Sequence, residues 1–157
     1  MRKKSMNAIW IDKEYKGLYK QELSKDGIRL FIDNKISSPV RIQIIKFIRF
    51  LRKNYYFPIR CKIYLCERKN FTSKDGKKRI KGIFFQGEID KKTFPQIYVP
   101  CKTSKYWEIQ DIYLSIVRLL TFYFQWYFFE DEKRSNRSLE IEATKYAYAI
   151  VFQYLNS

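Results

Sequence analysis

The chain of 157 residues contains no histidine. Histidine is the usual side chain for proton transfer near neutral pH, for activating a nucleophile and for binding transition metals. Glycine is scarce, with five residues, and neither G-x-x-x-x-G-K-[ST] nor G-x-G-x-x-G occurs, so no phosphate-cradling loop is indicated. An enzyme would have to use carboxylates, Lys, Tyr or Cys. Cys66 lacks a histidine partner, and Glu140 and Glu142, two residues apart on a helix, do not face each other. We therefore expect no catalytic activity and no cofactor.

Cysteine is also sparse, with Cys61, Cys66 and Cys101. Their odd number and the C-x4-C spacing fit no zinc-binding pattern, so we expect no metal site. Free thiols are typical of a reducing compartment, which favours a cytoplasmic protein. No apolar run follows the basic residues Met1–Lys4, so we expect no signal peptide. The most apolar stretch, Ile112–Phe129, contains an arginine, so we expect a core helix and no membrane span.

Positive charge is concentrated in one part of the chain. Residues 1–104 hold 26 Lys and Arg against 9 Asp and Glu, a net charge of +17, whereas residues 105–157 hold 6 against 7, a net charge of −1. The chain is 46% hydrophobic and 18% aromatic, which suffices for a folded core. We expect a single domain, 1–157, in which the basic part, 1–104, meets an anionic partner and the near-neutral aromatic part, 105–157, builds core.

Hydrophobic periodicity predicts strands and helices in an α+β order. Alternating patterns predict four strands: about Gly27–Asp33, Pro58–Leu65, Ile80–Ile89 and Gln96–Val99. The prolines that bracket the last strand mark it as an edge or a boundary. Helical spacing predicts three helices, capped by Ser38, by Thr103 or Ser104, and near Ser138: about Pro39–Lys53, Tyr106–Phe129 and Ser138–Leu155. The predicted fold is a three- to four-stranded, mostly antiparallel sheet with three main helices, of which the last two pack together.

Two segments of the last third resemble a known layout. They are Ile116–Trp126, which ends in Tyr-Phe-Gln-Trp, and Ser138–Ala147, which contains Glu-Ile-Glu-Ala. The arrangement resembles the ImmA/IrrE-like group of small zincin-type metalloproteases, in which one helix carries H-E-x-x-H and a following helix carries E-x-E-A. The resemblance covers mainly residues 95–154 and implies a zincin-like core.

The metal-binding motif of that group is absent. Its window corresponds to Arg118-Leu-Leu-Thr-Phe122, so both histidines and the glutamate base are missing. The third zinc ligand is matched by Glu140 or, less well, by Glu142. Because catalytic zinc needs three protein ligands and an open position, the resemblance implies a pseudoenzyme with vestigial metal-site positions at Arg118, Leu119, Phe122 and Glu140. Arg118 either pairs with Glu140 in place of the metal charge or lies on the solvent face of an amphipathic helix.

Three basic sets are candidates for contact with an anionic partner. Arginine suits phosphate because it bonds bidentately, and lysine adds a point charge. The sets lie on the first helix, in a predicted turn and before the last strand: Arg41, Arg49, Arg52 and Lys53; Lys74, Lys77, Lys78 and Arg79; Lys91 and Lys92. Tyr55–Phe57 adjoin the first set, where aromatic rings either stack on bases or, as their size favours, form core.

Two functions are compatible with this composition. The first is sequence-independent engagement of nucleic acid, or of the nucleic-acid-binding surface of a nucleoprotein, since no sequence-reading motif occurs. The alternative is a protein-interaction inhibitor from a mobile element or phage, of the anti-defence type such as an anti-CRISPR, that binds an acidic host-protein surface. Nucleic-acid binding would weaken steeply with salt, whereas an inhibitor would bind one protein tightly.

Overall fold

A computed structural model describes residues 9–19, 25–130 and 132–157. A short 3-10 helix, Lys13–Leu18, precedes the first strand, β1 (Ile28–Ile32). Helix α1 (Ser38–Asn54) then leads to β2 (Cys61–Cys66), which runs parallel to β1. Parallel neighbours need a crossover of this length, and α1 supplies it.

The segment between β2 and the last strand contains three short strands. An antiparallel ribbon of β3 (Phe71–Thr72) and β4 (Arg79–Ile80) closes through a turn in which Gly76 has φ +74°, a conformation that favours glycine. After it come β5 (Ile83–Phe85) and a 3-10 turn, Ile89–Lys91. The chain then enters β6 (Gln96–Pro100), which pairs with β2 in parallel and with β5 in antiparallel orientation.

The four-stranded sheet has the order β1-β2-β6-β5 and is therefore mixed. The expectation of a mostly antiparallel sheet is correct for the β5–β6 pair and for the ribbon, and wrong for the β1–β2 and β2–β6 pairs. The predicted edge position of Gln96–Val99 is also wrong, because β6 lies between two neighbours. Its prolines, Pro95 and Pro100, stand just before the strand and at its last residue, where a missing N–H costs little.

Two long helices complete the described chain, α2 (Ile109–Phe129) and α3 (Asn136–Leu155). The predicted cap of α2 at Thr103 or Ser104 is wrong. Glu108 caps this helix in a reciprocal capping box with Asp111. Ser135 caps α3 by accepting a hydrogen bond from the backbone N–H of Ser138 at 3.0 Å. Helix α1 is likewise capped one residue earlier than expected, at Ser37. Both long helices therefore begin with a side chain that satisfies their free N–H groups.

One hydrophobic core joins residues from both charge segments, from Ile9 to Val151. Phe47 of α1 is fully buried and its ring lies 4.4 Å from that of Tyr113 on α2 and 4.9 Å from that of Tyr154 on α3. Trp10 inserts against the same helices and donates from Nε1 to Oγ1 of Thr121 at 3.0 Å. No helix in the described ranges is long and apolar enough to cross a membrane.

Candidate functional site

The sheet has a covered face and a half-exposed face. Cys61, Ile63 and Leu65 of β2 are buried, as are Ile97 and Val99 of β6, and this face supports the helices. The intervening residues form the other face and are intermediate or exposed. We call it the open face and define it by eight residues: Arg29, Phe31, Lys62, Tyr64, Gln96, Tyr98, Ile83 and Phe85.

Three aromatic rings stack across the open face. Phe31, Tyr64 and Tyr98 occupy the same register position on β1, β2 and β6. Each neighbouring pair has ring centroids 4.7 Å apart and planes 9° from parallel. This spacing equals the separation of adjacent strands, so the register itself sets the stack. Phe85 of β5 meets the Tyr98 ring edge-on at 5.6 Å and is 51% exposed.

Two cations lie in the next row of the open face. Arg29 and Lys62 are paired across β1 and β2. The Arg29 guanidinium carbon lies 5.1 Å from the centroid of Phe31, and the Lys62 ammonium lies 5.6 Å from that of Phe94. Neither cation has a carboxylate partner in the part of the chain that the structure describes. The four strands contain no Asp or Glu, so the charge of this face is uncompensated.

The predicted basic residues of α1 divide into two kinds. Arg49 and Lys53 are exposed. Arg41 and Arg52 instead donate from their guanidinium groups to backbone carbonyl oxygens, Arg41 to Asp33 at 3.3 Å and Arg52 to Ile28 at 2.8 Å. Burial also lowers the pKa of Arg52. These two arginines anchor α1 to the ends of β1, whereas the other two are free to meet a partner.

The other two predicted sets lie at opposite ends of the sheet. Lys74, Lys77, Lys78 and Arg79 are exposed in the β3–β4 ribbon, which follows the carboxyl end of β2. Lys91 and Lys92 are exposed in the turn that precedes the amino end of β6, and Lys91 pairs with Glu88 at 3.2 Å. Because β2 and β6 are parallel, these ends are opposite. The three sets do not form one patch; the open face lies between two of them.

Among the positions predicted to be a vestigial metal site, the Nη1 atom of Arg118 lies 3.1 Å from Oε1 of Glu140 and 3.4 Å from Oε2. Of the two alternatives for Arg118, the structure therefore shows the pair. The Arg118 side chain is 26% exposed and also covers the ring of Phe122 at 5.4 Å. Leu119 is buried beside it. Glu140 is 55% exposed, so the pair stays within reach of water.

A second ion pair lies deeper between α2 and α3. Nη1 of Arg134 donates to Oε1 of Glu142 at 3.0 Å, and both side chains are less than a quarter exposed. Nε2 of Gln125 donates to the same oxygen at 2.8 Å. Arg134 and Glu140 also line a cleft of about 370 Å³ next to β5. The aromatic side chains that line this cleft include Phe122 and Trp126.

The two ion pairs predict different energetic couplings. In a double-mutant cycle with Arg118→Met and Glu140→Gln, we expect a coupling free energy of about 0.2–1 kcal/mol, because exposed pairs are weak. Replacing Glu142 with glutamine should lower the free energy of unfolding by about 1.5–3 kcal/mol, since charge-assisted hydrogen bonds are lost in a less exposed place. Urea denaturation monitored by circular dichroism measures both. A coupling for Arg118–Glu140 above the Glu142→Gln loss would contradict this ranking.

Other reactive groups in the described chain are few and held by the fold. Asp33 accepts backbone hydrogen bonds from Lys35 at 3.0 Å and from Glu67 at 3.3 Å, and these bonds hold its pKa below the usual range. Burial raises the pKa of Cys101 to about 12. Within the described ranges, no group of three or more His, Cys, Asp or Glu side chains is placed to hold a metal ion.

Sequence reasoning missed the open face. Its signal was present in Gly27–Asp33 and Pro58–Leu65, where aromatics and cations alternate with apolar residues. Alternation alone does not show which strands are neighbours, so the stacking of three rings could not be seen. By contrast, Tyr55–Phe57 are buried, which confirms that they form core.

Comparisons with family models, with curated proteins and with solved structures found no match for this chain.

Proposed function

We propose that this protein binds nucleic acid through its sugar-phosphate backbone, independently of sequence, and without catalysis. The observation that carries the proposal is the excess of positive charge in residues 25–104. The side chains of Arg29 and Lys62 on the open face form no ion pair among the described residues. The side chains of Lys77 and Lys78 in the ribbon form none there either, and Asp75 accepts from the backbone N–H of Lys77 at 2.9 Å. Polyanions release counterions when they meet such a surface, which favours binding at low salt.

The non-catalytic part of the proposal is supported by the Arg118–Glu140 pair. A carboxylate that could act as ligand or base is engaged by a guanidinium 3.1 Å away. In the proposed likeness to small zincin-type metalloproteases, Arg118 supplies the positive charge that zinc supplies in the enzymes. Leu119 and Phe122 add apolar volume in place of the other ligands. Without histidine in the chain, no residue replaces them in kind.

The proposal predicts a steep salt dependence. Labelled oligonucleotides of two unrelated sequences are tested, each as a single strand and as a duplex. Within each form, we expect the two sequences to bind the protein with similar affinity. The affinity should fall on the order of 10³-fold between about 50 and 200 mM salt, which corresponds to about six phosphate contacts. Fluorescence anisotropy with nuclease-treated, purified protein measures this.

A matched pair of variants locates the contacts. Lys74, Lys77 and Lys78 changed together to glutamine should reduce the slope of log affinity against log salt by up to about 3, one for each lost phosphate contact. Lys133, Arg137 and Lys145 changed to glutamine remove the same charge from exposed positions in the C-terminal part and should leave the slope nearly unchanged. Absence of binding at low salt would refute the proposal. Stoichiometric zinc, with a hydrolytic activity lost in Glu140→Gln, would refute its non-catalytic part.

One observation favours the alternative, a protein-interaction inhibitor. Ile141, Tyr148, Phe152 and Leu155 lie on one side of α3 and are 57%, 63%, 70% and 49% exposed. This stripe is about 21 Å long at 1.5 Å per residue, and apolar helix faces of this kind dock into protein grooves. A pull-down from the host with and without nuclease separates the two functions. A partner protein that survives nuclease and is lost in Phe152→Ser would support the inhibitor.

A further inference from the structure

We propose that the open face is a binding platform for single-stranded nucleic acid, on which bases stack against its aromatic rings while Arg29 and Lys62 contact phosphates. This inference rests on the proposed function and deepens it, because it names the form of nucleic acid and its site. Single-strand binders combine rings, which accept any base, with cations that follow the backbone.

The first support is the uneven burial of the sheet. The described helices pack on the covered face, whereas Phe31, Tyr64 and Tyr98 remain partly exposed on the open one. Large aromatics are usually buried in a core, so three stacked rings left beside water mark a surface that can take a ligand. A hollow of about 310 Å³ follows the same three rings toward the carboxyl ends of the strands.

The second support is the position of the ring faces. Within the stack, Tyr64 is covered on both sides, by Phe31 and by Tyr98. Phe31 lies on the edge strand β1, and in the described chain no other ring contacts its second face. At the opposite edge, Phe85 is 51% exposed. A base can therefore extend the stack at Phe31, beside the Arg29 guanidinium that lies over this ring. Another can lie on Phe85, about 16 Å away, three strand spacings across the sheet and two residues along the strand.

The third support is charge. Arg29 and Lys62 lie in the row of the open face that runs through Gln96 to Phe85, next to the row of stacked rings. Arg29 is close enough to Phe31, at 5.1 Å, to serve as part of the stacking surface as well as a phosphate ligand. The strands themselves carry no carboxylate, and the acidic side chain that lines the hollow is Asp33, just after β1. An acidic protein surface would satisfy the cations but leave the end rings without bases to stack on.

The test compares single-stranded with duplex nucleic acid, and it replaces aromatic rings with leucine, which is apolar but cannot stack on a base. Anisotropy is measured with a fluorescent thymidine oligonucleotide of about 15 residues and a duplex of equal length. The wild type should bind the single strand more tightly. The double variant Phe31→Leu, Phe85→Leu should bind it about 5- to 100-fold less tightly, the loss typical of removed stacking, while its duplex affinity changes less than about 2-fold. Tyr106→Leu, an 84% exposed ring outside the face, should bind both like the wild type.

The outcomes separate this inference from the proposed function. If the double variant keeps wild-type affinity for the single strand, or the wild type prefers the duplex, the platform is refuted while nucleic-acid binding stands. If neither oligonucleotide binds, both are refuted. A thermal unfolding curve checks that the double variant is folded. The single variant Arg29→Gln, at an exposed position, gives an independent reading: it should weaken single-strand binding several-fold, and unchanged single-strand binding would also refute the platform.

Discussion

Replacing Phe47 with alanine is expected to lower the free energy of unfolding by about 3–5 kcal/mol. Phe47 is fully buried at the point where the three helices meet, and it contacts the rings of Tyr113 and Tyr154. The substitution removes transfer free energy, leaves a cavity and breaks these two aromatic pairs and a third with Phe50. Each pair is worth about 0.5–1.5 kcal/mol beyond burial. Urea denaturation followed by far-ultraviolet circular dichroism measures the loss.

The matched control lies on the same helix. Ile42 is 51% exposed, so Ile42→Ala should change the free energy of unfolding by no more than about 0.5 kcal/mol. Both substitutions truncate a side chain to alanine within α1, so their helix propensities change in the same sense. A loss below about 1 kcal/mol for Phe47→Ala would show that the three helices do not converge on this ring.

The second large effect is a loss of stability at alkaline pH. Burial raises the pKa of Cys101 to about 12 and holds that of Cys61 well above its ordinary value. Both thiols stay protonated in the folded state but ionise near pH 8.5 when unfolded. Above about pH 8.5 the unfolded state therefore binds fewer protons than the folded state. The contribution of the two thiols to the free energy of unfolding is fully present below about pH 8.5 and falls as pH rises toward the folded pKa values. With two such thiols, the free energy of unfolding falls by about 2.7 kcal/mol for each pH unit above about pH 8.5.

Urea denaturation at a series of pH values from about 8 to 9 tests this dependence, in the range where tyrosines of the unfolded chain are still mostly neutral. The variant Cys61→Ala, Cys101→Ala is less stable at neutral pH because small cavities form, but its stability should change much less with pH across this range. Above about pH 10 both proteins should lose stability, since burial also raises the pKa of Tyr113 to about 12 and that of Tyr123 far above its usual range. Equal slopes for the two proteins between about pH 8.5 and 9 would contradict the assignment to the thiols.

Local elements of the fold were predictable because their signals are local. Within a helix, proline is favoured in the first turn. Pro39 therefore predicted where α1 starts, and the helix begins at Ser38. Strand pairing was harder to predict from the sequence, since the order β1-β2-β6-β5 joins segments that are far apart in the chain. The wrong cap of α2 has a specific cause: Ser104 is used in a turn, where its hydroxyl accepts from the N–H of Tyr106 and its backbone pairs with Trp107.

The candidate site was predictable to a similar degree. The charge imbalance between residues 1–104 and 105–157 is a property of the sequence, and exposed lysines in the ribbon follow from their turn residues. That Arg41 and Arg52 bind backbone carbonyls could not be read from helical spacing, because their partners lie on and after β1. The Arg118–Glu140 pair was one of two alternatives, and which of them forms depends on how α2 and α3 are packed.

The depth at which Ile9 and Trp10 are held has a consequence for synthesis. The N–H of Ile9 donates to the hydroxyl of Tyr146, 137 residues later, and Trp10 bonds to Thr121. A chain emerging from the ribosome makes these early residues long before their partners on the last two helices exist. They cannot reach these native contacts until α2 and α3 have been synthesised, so their apolar side chains stay outside the core until then.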